Sequence, residues 1–247
     1  MKSQRIDEIK ILGVKVNLVD FQETLDIIER FIQKNKPHQI VTVNPEFIIA
    51  AQKDEESRRV LNQAALAVPD GIGVIWASKL FKKPLKERVT GVDLVERLAE
   101  LASKKGYSVY FLGGEEGVAR KASQILKARY PRLRVAGYKA GRPYDLDLIP
   151  QIKKTKPDIL FVAWGFPKQD KWIAKYKARL GIPVCIGVGG AFDFISKKVP
   201  RAPVWLQNLG LEWLYRLIKQ PWRIKRQLAL PKFVYLVFRE YLTKKDA

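Results

Sequence analysis

Short apolar, β-branched runs alternate with helical patterns over most of the chain. Ile40-Val41-Thr42-Val43 predicts a strand, and Pro45 then opens a helix carrying Phe47, Ile48 and Ala51. Ala65 to Val68 predicts a second strand, broken by Pro69-Asp70-Gly71 before the helical stretch from Ile72 to Leu80. Tyr107 to Leu112 is a third, stopped by Gly113-Gly114 and followed by a helix to Arg129. Leu133 to Tyr138, Asp158 to Ala163 and Pro183 to Val188 make six. Such alternation implies right-handed crossovers, hence an α/β fold with a largely parallel sheet and helices on both faces. Ahead of it, Ile9 to Val19 alternates around Gly13, predicting a small hairpin that leads into a helix from Phe21 to Lys34. No fixed-period repeat is visible.

The pattern changes at Pro200. Residues 201–247 hold ten Lys/Arg against three Asp/Glu, and eight aromatic residues, among them Trp205, Trp213 and Trp222. Leu206, Leu209, Trp213 and Leu217 recur at helical spacing, as do Val234, Tyr235, Phe238, Tyr241 and Leu242. The expectation is an α/β domain over residues 1–200 and a basic appendage over 201–247, built of two amphipathic helices hinged at Pro221 and Pro231.

Composition narrows the chemistry. With 247 residues, 47% of them hydrophobic, the chain can bury a real core. A lone cysteine, Cys185, excludes an intramolecular disulfide and a multi-cysteine zinc site. A lone histidine, His38, excludes a multi-histidine metal centre and leaves little room for a Ser-His-Asp hydrolase. His38 reads as a loop residue before a strand, and Cys185 as a small core residue within one. Residues 1–10 mix both charge signs without the apolar stretch of a signal peptide, and no apolar run approaches the roughly 18 residues of a membrane span. A cytosolic protein is expected. The formal charge of +21 then calls for an anionic partner: nucleic acid, an acidic membrane face or phosphorylated substrates.

In an open parallel sheet, ligands sit beyond the carboxyl ends of the strands. The segments there read Asn44-Pro45-Glu46, Pro69-Asp70-Gly71, Gly113-Gly114-Glu115-Glu116-Gly117, Gly165-Phe166-Pro167-Lys168-Gln169 and Gly187-Val188-Gly189-Gly190-Ala191-Phe192-Asp193. Three are glycine-rich and lead into helices, which suits backbone N–H groups approaching a phosphate. None matches the dinucleotide fingerprint or the phosphate-loop motif. Together on one Rossmann-like sheet edge they point to a nucleotide or nucleotide-sugar site. Asp70, between Pro69 and Gly71, is the most suggestive carboxylate; the alternative is an N-cap for the helix beginning near Gly71. Arg88, ahead of Thr90-Gly91-Val92-Asp93, can bind phosphate, or Asp93 can cap its own helix. Asp145-Leu146-Asp147 has the Asp-X-Asp form of metal-dependent sugar transferases, but it precedes a helical stretch from Leu148 to Lys154 and fits capping better.

Taken together, these loops resemble the WecG/TagA/CpsF glycosyltransferases. The resemblance rests on Val41-Thr42-Val43-Asn44-Pro45-Glu46, Pro69-Asp70-Gly71-Ile72-Gly73, Arg88-Val89-Thr90-Gly91-Val92-Asp93 and Phe111-Leu112-Gly113-Gly114. It continues through Ala163-Trp164-Gly165-Phe166-Pro167-Lys168-Gln169-Asp170-Lys171-Trp172 and Gly187-Val188-Gly189-Gly190-Ala191-Phe192-Asp193. It ends with Arg201-Ala202-Pro203 and Leu211-Glu212-Trp213-Leu214-Tyr215-Arg216-Leu217. Ser196-Lys197 stands where the family often has Ser-Gly.

The resemblance implies an inverting, metal-independent transfer of an N-acetylmannosamine-type sugar from UDP to undecaprenyl-diphosphate-linked N-acetylglucosamine. It implies no cofactor, and a basic appendage that meets an anionic membrane surface. The UDP-sugar, the lipid-linked acceptor and the inner membrane face are thus the expected partners; oligomeric state is left open. Asp70 would be the general base. Arg88, with Arg216, Arg223 and Arg226 from the appendage, would stabilise the departing diphosphate. Thr42, Asn44 and Gln169 would orient sugar hydroxyls, while Asp193 and the loop near Tyr138 face uracil and ribose. Gly113, Gly114, Gly165, Lys168, Gly187, Gly189 and Gly190 complete the expected substrate site. Related transfers, of a uronic acid or glucose, remain within the family. A nucleic-acid-binding protein would explain the charge but has no need of glycine-rich strand-end loops, and a nicotinamide dehydrogenase would need the missing fingerprint.

Overall fold

The computed structural model describes residues 6–145 and 147–245. A hairpin comes first, β1 (Glu8–Ile11) and β2 (Val14–Asn17), turning through Leu12 and Gly13, which both have positive φ (49° and 74°) as a tight hairpin turn requires. The α/β body follows: α1 (Phe21–Lys34), β3 (His38–Val43), α2 (Pro45–Ala51), α3 (Glu55–Gln63), β4 (Leu66–Pro69), α4 (Ile72–Leu80), α5 (Gly91–Lys105) and β5 (Ser108–Gly113). It continues with α6 (Val118–Arg129), β6 (Arg134–Lys139), α7 (Leu148–Thr155), β7 (Ile159–Ala163), α8 (Lys168–Leu180), β8 (Val184–Gly187) and α9 (Ala191–Ile195). All six expected strands form, within a residue or two. They pair in parallel in the order β4-β3-β8-β7-β5-β6.

Local chemistry sets the element boundaries. Asp20 and Glu23 close a reciprocal capping box on α1 (2.8 and 3.0 Å), and Asn35 ends that helix in a left-handed conformation. Asn44 caps α2 by accepting from Phe47 N at 3.0 Å, with Pro45 as the first helical residue. Thr90 caps α5. Helix α3 has no counterpart in the expected pattern, because its interior is mostly polar and only Ser57, Val60 and Leu61 are buried. His38 is the first residue of β3 rather than a loop residue, stacked on Phe31 at 3.9 Å, and Cys185 is buried in β8.

One face of the sheet is covered by α1, α5, α6 and α9, around Phe111, Phe161 and Phe192. The other is covered by α7 and α8 at one side and by the hairpin, α2 and α4 at the other. The second of these layers is completed from far away in sequence, by Phe233 and Val237, both fully buried. Leu12 N also donates to Glu240 Oε2 at 3.0 Å.

The appendage departs from the expected pair of helices. It consists of α10 (Val204–Asn208), α11 (Glu212–Lys219), a 3₁₀ turn at Pro221–Arg223, α12 (Ile224–Gln227) and α13 (Ala229–Lys245). Pro221 breaks the helix because it forces Gln220 out of the helical region, to φ −135° and ψ 71°. Pro231 is no hinge: it lies in the first turn of α13, where N–H groups have no acceptor within the helix. No described helix is long and apolar enough to cross a membrane.

Because Phe233 fills a core position, Phe233→Ala should lower the unfolding free energy by about 3–5 kcal/mol, the usual range for a buried phenylalanine. Denaturant unfolding of the full chain measures it; a loss under 1 kcal/mol would mean that α13 is not part of the core.

Candidate active site

A cavity of about 550 Å³ opens beyond the carboxyl ends of β3, β4, β7 and β8 and is roofed by the appendage. Eleven of the sequence-derived site residues line it: Thr42, Asn44, Asp70, Arg88, Gly165, Gly189, Gly190, Asp193, Arg216, Arg223 and Arg226. Strand order explains the grouping, since β3, β8 and β7 are neighbours and β4 lies beside β3.

Asp70 does not cap α4, whose N-cap is Gly71 with no side-chain bond. Its Oδ2 instead accepts from Gly91 N at 3.3 Å. Burial pushes the carboxyl up to about 7, against the opposing pull of that bond and of Arg88. Arg88 is kept from closing on it, because Glu212 draws its guanidinium (3.6 Å). Glu212 and Asp93 also hold Arg201, Asp93 through a bidentate pair at 2.5 and 2.8 Å. Asp93 is therefore an anchor for the appendage; Thr90 performs the capping.

The three appendage arginines converge although Pro221 breaks the helix. Arg216 stacks over the Phe194 ring at 4.7 Å and approaches the bare Gly190, where a Cβ would sit 2.5 Å from its Nη2. Arg226 pairs with Glu46 at 2.6 Å. Burial, with Arg216 and Arg226 nearby, brings Arg223 down to about 10, and its Nε has no hydrogen-bond partner among the described residues. Such crowding of cations stores an affinity for an anion. Glu212, Phe194 and Gln227 are site residues that the sequence did not single out, whereas Glu46 stood in the strand-end segment Asn44-Pro45-Glu46. For Glu212 the available signal was an isolated acid inside a basic segment.

Other expected site residues lie elsewhere. Gly113 ends β5, one strand further out, and Gly114 follows it; both serve packing: a Cβ on Gly113 would meet Ala163 O at 2.8 Å, and Gly114 N donates to that oxygen. Tyr138 is on the edge strand β6, half exposed, and Lys168 points to solvent at the start of α8; neither lines the cavity. Thr42 does, but its hydroxyl donates to Gly187 O at 3.1 Å. Gln169 is fully buried beneath the floor, with Oε1 accepting from both Gly165 N and Gly189 N at 3.0 Å. It ties two cavity loops together rather than facing into the cavity. Among the described residues its Nε2 and both carboxylate oxygens of Asp170 lack partners that meet hydrogen-bond geometry, and Asp170 is pushed up to about 7 by burial. Both side chains crowd Gly187, where a Cβ would lie 2.5 Å from Asp170 Oδ1 and 2.6 Å from Gln169 Nε2.

Asp145 Oδ2 accepts from Arg142 N at 2.7 Å within a turn, Asp147 makes no side-chain cap on α7, and Leu146 lies outside the described residues. Among the described residues, no three His, Cys, Asp or Glu side chains gather as a metal site.

The profile of the glycosyl transferase WecG/TagA/CpsF family matches residues 9–247. The chain belongs to this family. An N-acetylglucosaminyldiphosphoundecaprenol N-acetyl-beta-D-mannosaminyltransferase of Bacillus subtilis (strain 168) is 39% identical over 233 residues, 94% of this chain and 90% of that protein. Enzymes of the same name are 38% identical in Bacillus spizizenii (85% of this chain, 82% of that protein) and 32% in Staphylococcus aureus strain MW2 (93% and 92%). The WecG/TagA/CpsF match thus spans the sheet, its strand-end loops and the arginine-bearing roof.

Asp70 and Asp170, both pushed up to about 7, make a signed statement about stability. Unfolded aspartate titrates near about 4, so between about 4 and 7 these two groups hold protons in the folded protein that the unfolded chain has released, and their contribution to stability falls as pH rises. Asp170→Asn should flatten that fall. Thermal unfolding midpoints from about pH 5 to about pH 8 test it; parallel curves for the two proteins would contradict the assignment.

Proposed function

We propose that the protein is an inverting glycosyltransferase that moves N-acetylmannosamine from UDP to N-acetylglucosamine carried on undecaprenyl diphosphate. The observation that carries this reading is a carboxyl poised near neutral pH, Asp70, opposite a cluster of arginines in one cavity. The names of the 39% and 32% identical relatives support the substrate pair. The ionised Asp70 accepts the proton of the acceptor hydroxyl as that oxygen bonds to the anomeric carbon. The bond from that carbon to the diphosphate oxygen breaks on the opposite face, and UDP leaves with the electron pair. Arg216 and Arg223, with Arg88, neutralise the growing charge. Asn44 and Thr42 meet sugar hydroxyls, and Asp193 with the glycines of 189–190 meets the nucleoside. The body, residues 1–200, supplies the base, Arg88 and the donor site; residues 201–247 supply Arg216, Arg223 and Arg226.

The test is transfer itself: purified protein, UDP-N-acetylmannosamine and a lipid-diphosphate N-acetylglucosamine acceptor in excess EDTA, scored by UDP release and product mass. Product should form without added metal. Asp70→Asn should bind UDP and lose about 10²–10⁴-fold in rate; near-normal turnover would move the base elsewhere.

We also propose that the protein works at the inner face of the cell membrane. Trp205, Leu209, Ile218, Trp222, Ile224 and Leu228 are all at least half exposed on the appendage, interleaved with Lys219, Lys225 and Arg226. That is the composition of a surface lying in a lipid interface, with about 1 kcal/mol from each basic residue near anionic lipid. Co-sedimentation with anionic liposomes should be salt-sensitive and weakened in Trp205→Ser/Trp222→Ser. Equal pelleting of both proteins would remove this role.

A further inference from the structure

Two apolar stripes begin in the cavity and leave it in the same direction. On α4, Ile72 lines the cavity and Trp76 follows one turn on, 43% and 39% exposed. On α13, Val234 lines the cavity and Phe238 and Leu242 repeat at successive turns, each about half exposed. The helices run alongside each other in parallel. At the cavity end, a Cβ on Gly73 would lie 3.5 Å from the Phe233 ring; at the far end, the Phe81 and Tyr241 rings are 6.4 Å apart. From Gly73 to Phe81, as from Phe233 to Tyr241, the rise is about 12 Å at 1.5 Å per residue. Packing does not require these stripes, because Phe233 and Val237 already anchor α13 on its buried side. A continuous exposed apolar surface of this kind marks a binding site.

What binds there is set by what the stripes join. They start in the same cavity that Leu230, Phe166 and Arg226 line. A ligand with a diphosphate at one end and a long hydrocarbon chain at the other would satisfy both surfaces at once. We propose that the α4–α13 track holds the first isoprenoid units of a prenyl diphosphate, its diphosphate lying at Arg226, just before α13, while Arg216 and Arg223 hold the diphosphate of the donor. This rests on the function proposed above, for it assigns a path to the lipid of the acceptor. The track gives the tail a continuous route from the reacting sugar to the bilayer.

Binding without transfer separates the two claims. The full-length protein is titrated calorimetrically with inorganic diphosphate, geranyl diphosphate and farnesyl diphosphate in buffer free of lipid and detergent. Affinity should rise with chain length, farnesyl diphosphate binding at least about tenfold tighter than inorganic diphosphate, which corresponds to about 1.4 kcal/mol. In Trp76→Ser/Phe238→Ser, whose side chains are exposed and whose melting temperature serves as the folding control, that ratio should fall towards one. Chain-length-independent binding, or a ratio unchanged in the double variant, would overturn the track. An unchanged ratio with weaker liposome pelleting would give the stripes to the membrane, and one with altered sedimentation mass would give them to a second copy of the chain. If prenyl diphosphates bind as expected but no sugar is transferred, the track stands and the transferase reading fails.

Discussion

A carboxyl that exchanges its proton near neutral pH has to be desolvated without being tightly paired, and the arrangement around Asp70 depends on that condition. Arg88 is close enough to pull the carboxyl down, and an undivided ion pair would return it to the ordinary range. Glu212 prevents this by sharing Arg88 with itself and Arg201 with Asp93. The roof therefore does more than bring cations. Its acid draws Arg88, the one body cation lining the cavity among the described residues, away from Asp70, so the electrostatics of β4's end are set by residues more than a hundred positions later.

The fold was legible in the chain because most strands of the parallel sheet are short apolar runs ended or closely followed by Gly, Pro or Asn and are buried almost throughout; the edge strand β6, Arg134–Lys139, is the exception. Strand order was not legible. Gly113-Gly114 and Gly165 look alike as loops, yet β5 lies a strand further out than β7, so only the latter's loop reaches the cavity. Gln169 shows a different limit. Its position in the motif was clear, but whether a carboxamide faces substrate or backbone depends on which side of the sheet edge α8 enters. The prolines of the appendage divided similarly. Pro221 stops a helix and Pro231 starts one, and sequence marks both only as breaks.

The convergence of Arg216, Arg223 and Arg226, implied by the family resemblance, does not come from one continuous helix. A 3₁₀ turn and two short helices bring the three side chains to one wall. The pieces are short and mostly exposed, with few buried side chains to hold them. Their shape relies on ends that are fastened, Arg201 to Asp93 at the start and Phe233 in the core after the last short helix. A segment pinned at both ends and loose between them can admit a bulky ligand under it without leaving the protein.

The layer over the hairpin has a consequence for how the chain must be made. Ile9, Ile11, Val14 and Val16 share their core with Phe233 and Val237, and Leu12 is bonded to Glu240, 228 positions away. During synthesis the hairpin's apolar face leaves the ribosome more than two hundred residues before α13, its final cover. Pairings of such long span are paid late in loop entropy and form slowly. The nascent body thus carries an open apolar flank through much of translation, and an exposed flank of that kind is where an unfinished chain sticks to others.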